Sequence, residues 1–225
     1  MYKRQIFIPF ATSALRDAVN DAGAWREVWL LEMVVAVGIL TVLYIALRKD
    51  ISPPLPRGAG IKAITRLQAW KTAVFFYMAF AFVAASWYQF FGLSLENDHN
   101  MSRGFTTNLW ALMGIGGVVG AVIFGRLSDR LGRPRTMCLV TAIGAITCVL
   151  VLAGQMWTAA LAAALYGMAG MAVPPLTAAF VRDLVDERDF TAVFGAMTII
   201  YGRASVLGPI TGGVLADLSN SYLLT

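Results

Sequence analysis

The densest polar chemistry in the chain sits in eleven residues, Gly125-Arg126-Leu127-Ser128-Asp129-Arg130-Leu131-Gly132-Arg133-Pro134-Arg135. A carboxylate beside several guanidinium groups forms charge-assisted, often two-pronged hydrogen bonds. Gly132 suits a tight turn, and Gly125 a close approach of two helices. This is chemistry for holding and releasing, not for making bonds. A second polar candidate is Arg203, in the middle of the apolar run 190–216. An arginine at mid-membrane costs at least about 2.5–3.5 kcal/mol on insertion scales, so it faces protein or a water-filled cavity and takes a partner. Two roles stand open for Arg203: binding an anionic substrate group or a place in a coupling network, and a structural pair with an acid elsewhere.

Other chemistries lack their residues. No Gly-x4-Gly-Lys-Ser/Thr loop is present to cradle phosphates. His99 stands alone, and Cys138 and Cys148 share one apolar run, so neither a metal cluster nor a disulfide framework is expected. No enzyme activity, catalytic residue, metal or cofactor is expected. Glu32 is a weak protonatable candidate. For Tyr77, Tyr88, Gln89, Asn108, Trp110, Tyr166 and Tyr201, packing or interface anchoring is the better account.

The elements that position these groups follow from composition. Apolar residues make up 58% of the chain and charged ones 14%, with mean hydropathy +0.68. A soluble domain carries about 25% charged residues, so the medium is lipid. Apolar runs at 27–47, 72–93, 107–125, 136–154, 157–181 and 190–216 are each long enough to cross the roughly 30 Å hydrocarbon core as helices. Their continuity excludes the alternating pattern of a membrane barrel. The expected fold is therefore all-α and polytopic, with about six full spans and partial ends.

Alternate loops differ in basic charge. One side holds Arg48, Lys49, Arg57, Lys62, Arg66, Lys71, Arg126, Arg130, Arg133, Arg135, Arg182 and Arg188; the other holds Arg16, Arg26 and Arg103. The positive-inside rule puts the first set in the cytoplasm. The net charge of +5 lies in these loops, an orientation signal and not a nucleic-acid footprint. Residues 1–26 read as the tail of a preceding span and an outer loop, 27–47 as a span, 48–71 as a cytoplasmic linker, and 72–225 as a six-helix half lacking its last helix. Within the linker, 61–71 reads either as a short amphipathic helix on the inner surface or as a plain connection. Pro174-Pro175 should break or kink the 157–181 helix toward its cytoplasmic end.

The stretch 125–135 resembles the signature loop of the major facilitator superfamily: glycine, three residues, Asp-Arg, one residue, then Gly-Arg-Arg/Lys. Gly125, Asp129, Arg130, Gly132 and Arg133 match; Pro134 departs from it, with Arg135 beside it. The resemblance implies a conformational latch made by this loop. Gly195, Gly208, Pro209, Gly212 and Gly213 resemble the family's glycine-proline helix motif, expected to serve helix packing or gating together with Pro174 and Pro175. On a helical wheel Gly195, Thr198, Gly202, Ser205, Pro209, Gly212 and Gly213 share a face expected to pack on another helix, while Arg203 lies with Ile199, Ile200, Leu207, Ile210 and Val214.

Trp25-Arg26 after Gly23 resembles the junction between the fifth and sixth spans, and Asp217 to Tyr222 the loop leading into the twelfth. The runs then correspond to spans six to eleven of an incomplete chain. A rival register, with 107–125 second and 190–216 fifth, leaves the run at 27–47 unexplained. The implied function is secondary active transport of a small solute across the cell membrane by alternating access. The implied partners are the bilayer, the solute with a coupling proton or other ion, and a missing N-terminal half, with no nucleic acid. The alternative is a non-transporting sensor or interaction protein on the same scaffold.

Overall fold

The computed structural model describes residues 24–47, 65 and 70–222. The fold is all-α, with seven helices among the described residues. The chain divides into two units, Met1–Pro56 and Arg57–Thr225. In the first, α1 (Ala24–Leu47) is an apolar helix covering the expected 27–47 run, and its described large side chains are exposed. The expected tail at 6–15, the linker at 48–60, most of the 61–71 segment and the Glu32 side chain lie outside the described residues.

The second unit holds α2 (Trp70–Asn97), α3 (Arg103–Leu131), α4 (Arg133–Leu152), α5 (Met156–Gly170), α6 (Val173–Leu184) and α7 (Glu187–Ser219). Among the described residues five helices are long and apolar enough to cross a membrane, with α5 and α6 together forming one of them, Met156–Leu184. Local chemistry sets the ends. Ser102 accepts a hydrogen bond from the Phe105 N–H at the start of α3, 3.3 Å. At the start of α5, Gln155 and Thr158 cap each other's backbone. Asn220, left-handed at φ 52°, ends α7.

Two tight seams hold the bundle. Where α3 meets α5, a methyl group on Gly116 would stand 2.7 Å from the Ala164 carbonyl oxygen; one on Gly120 would strike the Met168 backbone, and one on Gly167 the Met113 carbonyl. The spacing Gly116-x3-Gly120 is the small-residue pattern that lets membrane helices touch backbone to backbone. Where α7 meets α2, the buried ridge is Val193, Met197, Ala204, Gly208, Gly212 and Ala216. Gly208 lies against the Phe82 carbonyl and Ser86, and Gly212 against the Phe90 ring. Most of this ridge follows four-residue steps, one of the rows by which helices interlock.

The expected packing face of α7 is thus only partly correct. Gly208 and Gly212 pack, but Gly195 and Gly202 are exposed, and a methyl on Gly195 or Gly213 would meet nothing within 4 Å. The neighbour's position turns the contact stripe toward Ala204 and away from Gly202. Pro209 lies inside the helix, which continues to Ser219.

Candidate functional site

The eleven-residue charged stretch is not a loop. Helix α3 runs through Asp129 and Arg130 to Leu131, Gly132 alone forms the corner, and α4 starts at Arg133. Gly132 has φ +89°, where a side chain would be strained, and its N–H donates to the Ser128 carbonyl, 3.1 Å. Pro134, the departure from the family pattern, falls in the first turn of α4, where helix N–H groups have no intrahelical acceptor and proline costs nothing.

The corner aims one arginine inward. Arg133 Nη1 donates to Asp129 Oδ1 at 2.7 Å and also to Ser128 Oγ. Its Nε donates to Asp183 Oδ2 at 3.1 Å, fifty residues further along the chain. Ser128, buried, donates to the Gly125 carbonyl at 2.8 Å. The side chain of Arg133 is 23% exposed, against 64% for Asp129 and 55% for Asp183. One planar guanidinium therefore ties the end of α3, the start of α4 and the end of α6, a geometry a lysine cannot reproduce. Arg130 and Arg135 are exposed and form no ion pair among the described residues.

Gly125 departs from expectation: a methyl there would meet nothing within 4 Å. The close approach on this helix is made at Gly116 and Gly120, whose spacing was the readable signal. Asp183 and Ser128 were not singled out by sequence. The trace of Asp183 was an acid at the end of an apolar run; Ser128 left none.

Pro174 and Pro175 occupy the first turn of α6 and offer no N–H to the Gly170 and Met171 carbonyls. The span is interrupted at Met171–Ala172, after the 15 residues of α5 and before the 12 of α6. The break is near the middle of the span and not toward its end, because the prolines remove the bonds of the turn before them. Ala172 turns the chain by donating to the Ala169 carbonyl at 3.2 Å. A cavity of about 80 Å³ lies between the break and the charged corner, lined among others by Gly125, Ser128, Arg133, Ala172 and Pro175.

An all-helical membrane bundle with this corner between two spans matches the family model described as Major Facilitator Superfamily, over residues 5–209. The chain belongs to the Major Facilitator Superfamily. It is 32% identical over 113 residues to the uncharacterized MFS-type transporter Rv1877 of Mycobacterium tuberculosis, 48% of this chain and 16% of that one. The tetracycline resistance protein, class H, of Pasteurella multocida is 31% identical over 126 residues, 55% of this chain and 30% of that one. The uncharacterized MFS-type transporter YcaD of Salmonella newport is 27% identical over 201 residues, 87% of this chain and 50% of that one. The chain thus spans half or less of the length of these relatives. As a superfamily member with membrane-length helices it is a multi-pass membrane protein.

Arg203 stands at the midpoint of α7, exposed on the same side as Ile199, Leu207, Ile210 and Val214, as the wheel places it. It has no ion pair among the described residues. The aromatic candidates are mostly packed: Tyr77 lies against Tyr201 at 4.6 Å with the rings tilted by 40°, and Tyr166 stacks on Trp87 at 4.2 Å with Tyr88 edge-on at 5.9 Å. Gln89 and Asn108 are exposed.

Proposed function

We propose that this chain is the C-terminal part of a secondary active transporter that carries a small solute by alternating access, working with an N-terminal half of the same transporter. The observation that carries the reading is the bridge from Arg133 to Asp129 and Asp183. It joins three separate spans through polar, partly exposed contacts at one end of the bundle, where they can be made and broken as the bundle changes its access state. In this reading the arginine-rich face is cytoplasmic, Asp129, Arg133 and Gly132 form the latch, and Arg130 and Arg135 anchor the face to anionic lipid headgroups. Gly208 and Gly212 hold α7 on α2. Gly195, Pro209 and Gly213 leave a small-residue side of α7 for contact with the other half.

Arg203 is the substrate or coupling residue: it is a mid-helix cation with no ion pair among the described residues, and its cost in a membrane is offset when an anionic group, from the solute or a coupled carboxylate, meets it. The tetracycline resistance relatives make tetracycline the first solute to test, with a proton as the coupling ion. The experiment is counterflow and pH-driven uptake in proteoliposomes holding this chain and its N-terminal half. Arg133→Ala should reduce flux strongly and Arg133→Lys in part. Arg203→Ala should change apparent affinity or proton coupling. Equal flux in wild type and Arg133→Ala refutes the latch, and unchanged affinity and coupling in Arg203→Ala refutes that assignment.

A further inference from the structure

The end of the bundle opposite the charged corner carries ties of its own. Helices α3 and α4 meet at Gly132, so the connector leading into α3 and the turn after α4 both lie at the other end, where α7 also finishes. The connector, residues 98–102, is fixed by its own backbone. The Asp98 and His99 N–H groups donate to the Ser94 carbonyl at 2.9 and 3.2 Å, and the Met101 N–H to the Leu95 carbonyl at 2.9 Å. Asn100 is left-handed at φ 54°, and Ser102 caps α3.

Two neighbouring side chains of this connector reach two different elements. Asp98 Oδ2 accepts from the Tyr222 N–H at 2.8 Å, just past the end of α7. His99 lies on the turn between α4 and α5, where a methyl on Gly154 would stand 2.5 Å from its Nδ1 and 2.6 Å from its Cε1. Gly154 is itself left-handed at φ 67°, so glycine serves both the turn and the ring seated on it. The Nε2 atom of His99 is buried and has no hydrogen-bond partner.

That nitrogen sets the chemistry. A neutral imidazole with its proton on Nδ1 leaves Nε2 bare, and the seat wastes one acceptor. An imidazolium carries a proton on both nitrogens, so the same seat encloses a charged N–H with nothing to receive it, which costs more. The charged and titratable groups on the elements that meet here are Glu96 and Asp98, Arg103 at the start of α3, and Asp217 and Tyr222 at the end of α7; residues 153–158 carry none. None of these bonds to His99 among the described residues. Their fields act on the ring in and out of its seat, so the difference between the two rests on the surroundings of Nε2.

We infer that the connector is a clasp across this end of the bundle and that His99 is its acid release: the neutral ring seats on Gly154 and holds the α4–α5 turn, and the protonated ring leaves it. The clasp is complete on the alkaline side of the histidine range and is lost as pH falls through it. His99 is the single histidine of the chain, so no other side chain of ordinary acidity titrates there. The clasp concerns this chain alone and stands whether or not it transports.

The test uses the chain in lipid nanodiscs from about pH 8 to about pH 5, which spans histidine titration. The imidazole proton signals in NMR report the protonation of His99. Hydrogen exchange at the Gly154 and Gln155 amides, bonded to the Val151 carbonyl and the Thr158 hydroxyl, reports the turn after correction for the intrinsic pH dependence of exchange. Protection there should fall at least about fivefold, the smaller cost of a buried unsatisfied donor read as a population. The fall should share its midpoint with the histidine signal, while amides around Gly116 keep their protection. His99→Phe should remove the fall. Asp98→Asn, which keeps an oxygen for the Tyr222 N–H, should retain it. Protection that stays constant to pH 5, a fall that persists in His99→Phe, or a fall that Asp98→Asn abolishes overturns the inference. An equal fall around Gly116 also overturns it, since acid would then be loosening the whole bundle.

Discussion

Gly120 and Gly125 lie on the same helix five residues apart, and the structure gives alanine at the two sites opposite consequences. At Gly120 the added methyl strikes the Met168 carbonyl oxygen, Cα and carbonyl carbon, none of which can rotate aside. Overpacking of this kind costs about 1–3 kcal/mol. At Gly125 nothing lies within 4 Å, and alanine gains up to about 1 kcal/mol of helix propensity over glycine. With a sensitivity of about 2–4 °C per kcal/mol for a domain of this size, Gly120→Ala should lower the midpoint by about 2–12 °C and Gly125→Ala should raise it by about 0–4 °C.

The assay is helical circular dichroism against temperature on the purified chain in one detergent. A double-mutant cycle separates a backbone clash from a side-chain clash. The methyl of Gly117→Ala meets the Met171 side chain, so Met171→Ala should relieve it, whereas Met168→Ala should not relieve Gly120→Ala. A destabilising Gly125→Ala beside a silent Gly120→Ala would refute the packing argument, and so would rescue of Gly120→Ala by Met168→Ala.

Three further outcomes are expected. Gly132→Ala forces a side chain into φ +89° and should cost about 1–3 kcal/mol in the same melt; an unchanged midpoint would mean that the corner relaxes. Asp98→Ala removes the acceptor 2.8 Å from the Tyr222 N–H, so that amide should lose protection in hydrogen exchange while the core of α7 keeps its own; equal loss along the helix counts against a local anchor. Arg203→Leu places hydrocarbon among exposed apolar neighbours and should stabilise this chain in lipid by about 2.5–3.5 kcal/mol, the insertion cost removed; destabilisation would reveal a structural partner.

What could be read from sequence divides by the range of the physics. The spans, their succession and the corner depend on apolar runs and on neighbouring residues, and they appear close to where expected. Which of four arginines does the bridging depends on where α4 begins. Arg133 precedes Pro134 at the helix start, one turn from Asp129, while Arg130 and Arg135 point into solvent. Asp183 depends on tertiary structure alone, since a partner fifty residues away leaves no periodic trace. Gly125 was singled out because it belongs to a motif, but the motif marks the corner, and the seam is marked by Gly116-x3-Gly120. The α7 wheel placed Arg203 correctly, yet put Gly195 and Gly202 on the packed side, because a wheel gives angles about an axis and only the neighbour fixes which angle is covered.

The strengths of these contacts also assign them to different tasks. The glycine seam between α3 and α5 is a backbone-to-backbone contact, and between α2 and α7 Gly208 meets the Phe82 carbonyl while Gly212 meets the Phe90 ring; parting either seam forfeits the close packing that holds membrane helices together. The pairs of Arg133 with Asp129 and Asp183 are more than half exposed on the acidic side, so each is worth only about 0.2–1 kcal/mol. A tie of about 1 kcal/mol biases a two-state equilibrium roughly fivefold, enough to set a resting state and too little to prevent the other. In the proposed latch, a stronger, buried pair in the same place would hold one arrangement and oppose the proposed alternation. The latch proposed above thus sits at a corner held by weak, partly exposed pairs, away from the seams where Gly116, Gly120 and Gly167 let helix backbones touch.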